Sequence, residues 1–401
     1  LGVAGRPDTA VRPLCEEALR ALGPEPSALR SKVTARLAMH RCLWANEGVA
    51  AGPIAQDALD IARRVGDLDA LHLGLLVRAI TLVGTPQVGD RLAVAEELVG
   101  SAERSEDVPM QASGLRLRAL ARLELGDVEG FDADLERVVL LSTALRRRQY
   151  LSEAARWRGL RALFDGRFSE LEQHTAEMLA QAGDDVNAST ARAAQFFFLW
   201  RDQGRIEEAR RLPEAAVKKT PGLVALQALV ALADAELGDT AKARRAFDSF
   251  AEGGFAGVPH DFTWTASLSI LTDLCDVLGD TSRAPLLLEL FRPHAGHLVV
   301  MGWGDVCPGA VDRYLGILAT TSRRLGEAEA AFESALAIEA RVGSAPSLVR
   351  TETRFGRMLI TRAGPGDVGR ARELLGGAQA KAERMGMVKV AAEARSLVAA
   401  L

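Results

Sequence analysis

Nine times along the chain a turn-like stretch is followed by a small or apolar anchor, with further apolar residues about four and seven positions on. The anchors are Ala58, Ala95, Phe131, Leu171, Ala209, Ala243, Ala284, Ala328 and Ala371, and successive ones lie 34 to 44 residues apart with a mean near 39. Turn pairs such as Gly126-Asp127, Gly204-Arg205, Gly238-Asp239 and Gly279-Asp280 precede most of them. Apolar spacing of three to four residues means helix, and self-similarity at this period means stacked helical hairpins. Each anchor therefore opens the second helix of a hairpin, and the next turn closes a first helix. First helices are expected near 32–47, 69–83, 110–125, 149–164, 188–203, 222–237, 263–278, 308–324, 346–362 and 388–400. Second helices fall near 9–21, 53–65, 91–104, 128–145, 168–182, 205–218, 240–251, 281–292, 327–342 and 367–385.

The segment from Leu237 to Phe247 shows the local logic. Gly238 ends a helix in the left-handed conformation that other residues avoid, and Asp239 or Thr240 can cap the next. Ala243 is small enough for the first helix to approach, and Phe247, one turn later, fills the gap to the neighbouring hairpin. The segment from Glu327 to Leu336 repeats the scheme. Pro213 falls inside an expected helix and should kink or divide it.

At these residues the chain resembles the tetratricopeptide repeat (TPR) superfamily. Ala328, Phe332 and Ala335 match that family's small–aromatic–alanine spacing, and Ala243 and Phe247 match it in part. The resemblance implies an all-α, right-handed α-solenoid of about ten TPR-like hairpins, forming one array over 1–401. The longer step is similar to that of divergent repeats in bacterial regulatory proteins.

One stretch breaks the rhythm. Residues 292–308 form a Gly- and Pro-punctuated insertion carrying His294, His297, a valine-rich run, Trp303, Asp305 and Cys307, and they lead into a helix with Asp312, Arg313 and Tyr314 together. Long connections within a repeat array are favoured places for function. The order of these words resembles the C-terminal repeat region of bacterial multidomain regulators. Those join a STAND/AAA-type ATPase module to TPR-like repeats and commonly add a LuxR-type helix-turn-helix or a class III cyclase. No Walker A loop occurs in this chain. The resemblance therefore implies a partner ATPase or output domain upstream on the same polypeptide. The chain begins with Leu rather than Met, which suggests a piece of something longer.

Composition narrows the remaining classes. Charged residues make up 25% of the 401 and the net charge is −4 with mixed signs, so neither direct nucleic-acid binding nor a membrane surface is indicated. The four cysteines show no CxxC pair and read as small buried hydrophobes of a reducing compartment, giving a cytoplasmic expectation. His294 and His297 lack companions for a tetrahedral shell, so no metal is expected. Gly302-Trp303-Gly304 is no dinucleotide fingerprint, and no cofactor follows from it. Asp312 and Arg313 read as a helix-surface ion pair holding the loop. The run Phe196-Phe197-Phe198-Leu199-Trp200 cannot face one side of a helix, so most of it belongs to the core. Arg146-Arg147-Arg148 reads as a solvated helix cap.

The function these features support is a non-enzymatic sensor or scaffold region of a signal-transduction or transcriptional regulator. It binds a protein, peptide or small effector in a concave groove lined by first helices. Candidate contacts are Trp303, Asp305, Asp312, Arg313 and Tyr314, with Trp264 and Trp200 as secondary groove residues, and no catalytic residue is assigned. Two alternatives stay open: an all-helical enzyme with a site near 297–314 built on His297, Cys307 and Asp312, and a purely structural dimerisation scaffold.

Overall fold

The alanines and glycines that set the sequence period also set the architecture, because they are where helices touch. The structure, a computed structural model, describes residues 10–43, 47–144 and 148–401. It divides into two compact units. The first runs to Leu151 and includes Pro259–Trp264; the second holds Ser152–Val258 and Thr265–Leu401.

The first unit contains α1 (Val11–Leu22), α2 (Ala28–Leu43), α3 (Gly48–Val65), α4 (Leu68–Thr81), α5 (Val88–Arg104), α6 (Val108–Glu124) and α7 (Val128–Ala144). The second is built from α8 (Arg148–Asp165), α9 (Phe168–Ala182), α10 (Val186–Asp202), α11 (Ile206–Lys219), α12 (Val224–Glu236) and α13 (Thr240–Ala251). It continues through α14 (Trp264–Val277), α15 (Ala284–Phe291), α16 (Val311–Thr321), α17 (Leu325–Arg341), α18 (Ala345–Arg362), α19 (Asp367–Met385) and α20 (Val388–Ala399). Within each unit consecutive helices pack on one another. Even-numbered helices also touch the next even-numbered one, as α2 with α4, α4 with α6, α16 with α18 and α18 with α20. This is an all-α, TPR-like array of helical hairpins, in which these even helices form an inner layer within their own unit.

All nine anchors are 0% exposed, which makes each a helix–helix contact point. Two close approaches show why small residues are needed. A Cβ added to Gly316 on α16 would lie 2.8 Å from the Phe332 ring of α17, and one on Gly356 of α18 would lie 2.6 Å from Leu375 of α19. At the turn before α13, Gly238 has φ +91° and the Asp239 carboxylate accepts from the Lys242 amide at 3.1 Å, so the cap falls to Asp239. Pro213 neither ends nor divides α11. The helix forgoes one backbone hydrogen bond there, and the ring packs as a buried apolar group.

The insertion is ordered differently from a loop. A short 3-10 turn (Arg292–His294) leads to β1 (Leu298–Met301), which pairs antiparallel with β2 (Val306–Ala310) in the register Leu298↔Ala310, Val299↔Gly309 and Met301↔Val306. Pairing through Ala310 delays the start of α16 from the expected 308 to Val311. Both strands are buried throughout. The Ala310 amide donates to Glu339 Oε1 at 3.0 Å, so α17 satisfies this edge of the ribbon. Arg146 and Arg147 lie outside the described residues.

Candidate functional site

The inner layer of the second unit concentrates charge. The even helices α10, α12, α14, α16, α18 and α20 each send a polar or charged side chain to one cavity of about 60 Å³. Arg201 at the end of α10 meets Asp273 of α14 at 2.6 Å and Glu236 of α12 at 2.8 Å. Lys389 of α20 reaches the other oxygen of Glu236 at 2.5 Å. Asp202 receives both Nε and Nη2 of Arg350 on α18. Arg354 of α18 is 2.8 Å from Asp276 of α14, and Arg357 also reaches that carboxylate. On α16, Arg313 donates to the Tyr314 hydroxyl at 2.7 Å and lies 3.3 Å from Glu339, whose second oxygen accepts from Thr351 at 2.6 Å.

Burial opposes charge on Arg201, Glu236 and Asp273, and reciprocal pairing keeps it in place. Burial works to lower the Arg201 pKa, yet Glu236 and Asp273 outweigh it and hold the guanidinium well above its ordinary range. Burial likewise pushes Asp273 and Glu236 up, but Arg201 reverses the direction for both, helped by Arg354 at Asp273 and by Lys389 at Glu236. Glu339 goes the other way. Its burial outweighs Arg313, Thr351 and the Ala310 amide, and its pKa is raised. Burial also raises the Tyr314 phenol. The cavity is therefore walled by paired charges and polar groups.

The insertion seals another part of the inner layer. Its turn is held by α8 and α10: Trp157 Nε1 donates to the Trp303 carbonyl at 2.8 Å, and Gln195 Nε2 donates to the Asp305 carbonyl at 3.0 Å. Gly302 (φ +59°) lets the Asp305 carboxylate fold back over it, because a Cβ there would lie 2.3 Å from Asp305 Oδ2. Burial pushes the Asp305 carboxyl up to about 6, against the pull of Arg156 3.5 Å away and with the push of Glu153.

Of the residues singled out in the sequence, Arg313 and Tyr314 line the cavity. Trp303 and Asp305 form the insertion turn, Trp303 half-buried. Asp312 is buried and accepts from the Gly296 amide at 2.7 Å, so it does hold the loop, but not as a surface pair with Arg313. Neighbouring residues on a helix point about 100° apart, and these two serve different partners. Trp200 lies beside Phe196 with Arg205 over its ring. Trp264 belongs to the first unit, buried and stacked on His260 at 3.6 Å. Phe196, Phe197, Phe198 and Leu199 are all buried. The four cysteines are free and buried, and burial pushes Cys42 and Cys275 up to about 12.

Sequence reasoning missed the rest of the cavity wall: Arg201, Asp202, Glu236, Asp273, Arg350 and Arg354, joined by Lys389 and Glu393. A signal was present. Arg201, Glu236 and Asp276 each stand two or three positions before a turn glycine, where the inner face of a first helix ends.

The first unit holds a cluster with a catalytic outline. His72 Nε2 is 3.0 Å from Ser101 Oγ, and Nδ1 is 3.1 Å from Asp107 Oδ2. The distances match a Ser–His–Asp relay, yet His72 is 1% and Ser101 6% exposed, which denies a substrate carbonyl access to Oγ. Asp107 meanwhile caps α6 through the Met110 amide. The cluster fastens α4, α5 and the start of α6.

No family model matches the chain, and no curated protein does. Among the described residues no helix is long and apolar enough to cross a membrane. Two solved structures are similar to it over most of its length. One is a chain of the Naa15/Naa10 complex bound to HypK-THB, with 15% identity over 93% of this chain and 61% of that one, at a TM-score of 0.24. This chain thus spans about three fifths of that protein's length. The other is a chain of the Cut9–Hcn1 hetero-tetramer of the APC/C, with 12% identity, 98% of each chain covered and a TM-score of 0.33. Superpositions this loose leave the fold to be read from the chain's own hairpins, and those are TPR-like.

Proposed function

We propose that this chain is a non-enzymatic, TPR-like sensor region of a cytoplasmic signal-transduction regulator, and that its second unit binds a small effector. The observation that carries the reading is the charged cavity walled by six successive even helices. The cavity offers about 60 Å³ of interior space. That space suits a small molecule rather than a helix or an extended peptide. A ligand touching α10, α18 and α20 together favours the arrangement in which they are joined. Such a bias can be passed to an ATPase or output domain on the same polypeptide. The resemblance of the 292–319 words to bacterial multidomain regulators supports that context.

The test is thermal unfolding of the full chain against a library of small metabolites, with sedimentation in parallel. A ligand specific for the native state raises the melting temperature in a saturable way. The expected result is at least one such ligand, whose effect is lost in Tyr314→Phe or Arg350→Met. Self-association with no saturable ligand shift would establish the structural scaffold instead, and turnover abolished by Cys307→Ala or His297→Ala would establish the enzyme.

A further inference from the structure

The charge balance of the cavity narrows the chemistry of its ligand, on the reading just given. Five cations border it, Arg201, Arg313, Arg350, Arg354 and Lys389, against four carboxylates, Asp202, Glu236, Asp273 and Glu393. With the partners just outside the lining, Asp276 and Glu339 on one side and Arg357 on the other, the two signs stand level at six each. A ligand of net charge entering this wall sheds its hydration and meets no surplus of the opposite sign. A ligand without charges leaves the wall's dipoles unanswered.

Two groups retain capacity. The Tyr314 oxygen accepts from Arg313, so its own O–H is still to be given. Glu393 borders the cavity close enough to raise the pKa of Arg354, yet makes no hydrogen bond or ion pair among the described residues. Arg354 and Glu393 thus place a cation and a carboxylate on the wall of one small space. A water needs roughly 10–15 Å³ of such space, so about 60 Å³ has room for a ligand of a few non-hydrogen atoms.

We propose that the cavity binds a small zwitterion, an α-amino acid of the size of glycine or alanine. Its ammonium meets Glu393, and its carboxylate takes Arg354 and the Tyr314 hydroxyl. The free carboxylate and the phenol supply the two contacts that the balanced wall lacks, and the ligand brings no net charge into a site that has none to match.

Calorimetry and thermal shift on the full chain test this with glycine and alanine, and with acetate and methylammonium as the two half-ligands at matched ionic strength. Glycine or alanine should bind saturably, at least tenfold more tightly than either half-ligand. Glu393→Gln and Tyr314→Phe, both near-isosteric, should each weaken that binding about tenfold or more while leaving the helical circular dichroism unchanged. Acetate or phosphate binding as well as glycine would mark an anion site and overturn the proposal. Zwitterion binding that ignores both substitutions would overturn it too, by placing the ligand elsewhere. If neither amino acid binds but an uncharged or singly charged metabolite stabilises the chain, the zwitterion proposal falls and the small-effector reading stands. If nothing binds, both fall.

Discussion

The two units share one repeat pattern but are held together differently. In the first, polar links join a helix to its counterpart about one repeat further on, as Arg63 with Glu97, Lys32 with Asp69 and His72 with Asp107. A distant contribution comes from the 259–264 segment, whose His260 and Asp261 carbonyls lie against Gly48 and Gly84 so closely that neither glycine could carry a side chain. The second unit has the same one-repeat links, such as Arg201 with Glu236 and Arg244 with Asp280. It adds a second class: Asp202 pairs with Arg350 across 148 residues, Lys389 with Glu236 across 153, and Ser344 with the Phe164 carbonyl across 180. An array with nearest-neighbour links alone has a stability that sums over its repeats. Links between its first and last hairpins make the second unit answer as a whole.

The largest expected effect tests that closure. Asp202→Asn leaves the Arg350 guanidinium mostly buried without its counter-charge, which costs about 3 kcal/mol. In native-state hydrogen exchange, protection should fall in α10 and α18 together. Loss confined to α10 would show that the long-range links do not couple the hairpins of the second unit.

A smaller effect concerns the ribbon's turn. The Asp305 carboxyl is held near 6 in the folded chain, above its unfolded value of about 3.9. The native state therefore binds the proton more tightly. This residue's contribution to stability is greatest below about pH 4, falls as the pH rises through about 6, and levels off above. Asp305→Asn should abolish that fall and stabilise the chain at pH 8 by about 2 kcal/mol, read by urea denaturation at pH 5 and 8. Equal effects at the two pH values would mean that the carboxyl is not the cause.

The smallest effect belongs to the first unit. Arg63 and Glu97 are both well exposed, so Arg63→Gln should change stability by less than about 1 kcal/mol in the same assay. A loss matching that of Asp202→Asn would erase the distinction between the units.

The helices were legible because each hairpin repeats a local requirement: a turn glycine, a small anchor and a filling residue one turn on. Ala243 with Phe247 and Ala328 with Phe332 state that requirement in the chain itself, and all four are buried as expected. The ribbon was legible only as an interruption. Strands of four and five residues carry too few positions to show alternation, and both are buried throughout. The cavity was hardly legible. Periodicity shows which face of a helix turns inward, but not which inward charge 148 residues away will be its partner. Arg313 and Tyr314 were noticed because they adjoin an irregular loop. Arg350 and Glu236 were not, because they stand in regular helices among many other charges.

Closure also constrains how the second unit could have grown. A nearest-neighbour run can gain or lose a hairpin by duplication or deletion, since each new unit meets the same kind of neighbour. Between α10 and α18 that freedom is gone. One extra hairpin would carry Arg350 past Asp202 and Lys389 past Glu236, leaving several buried charges unpaired at once. The number of hairpins in this stretch is therefore fixed by its charges, and lengthening by single duplications is open only outside it.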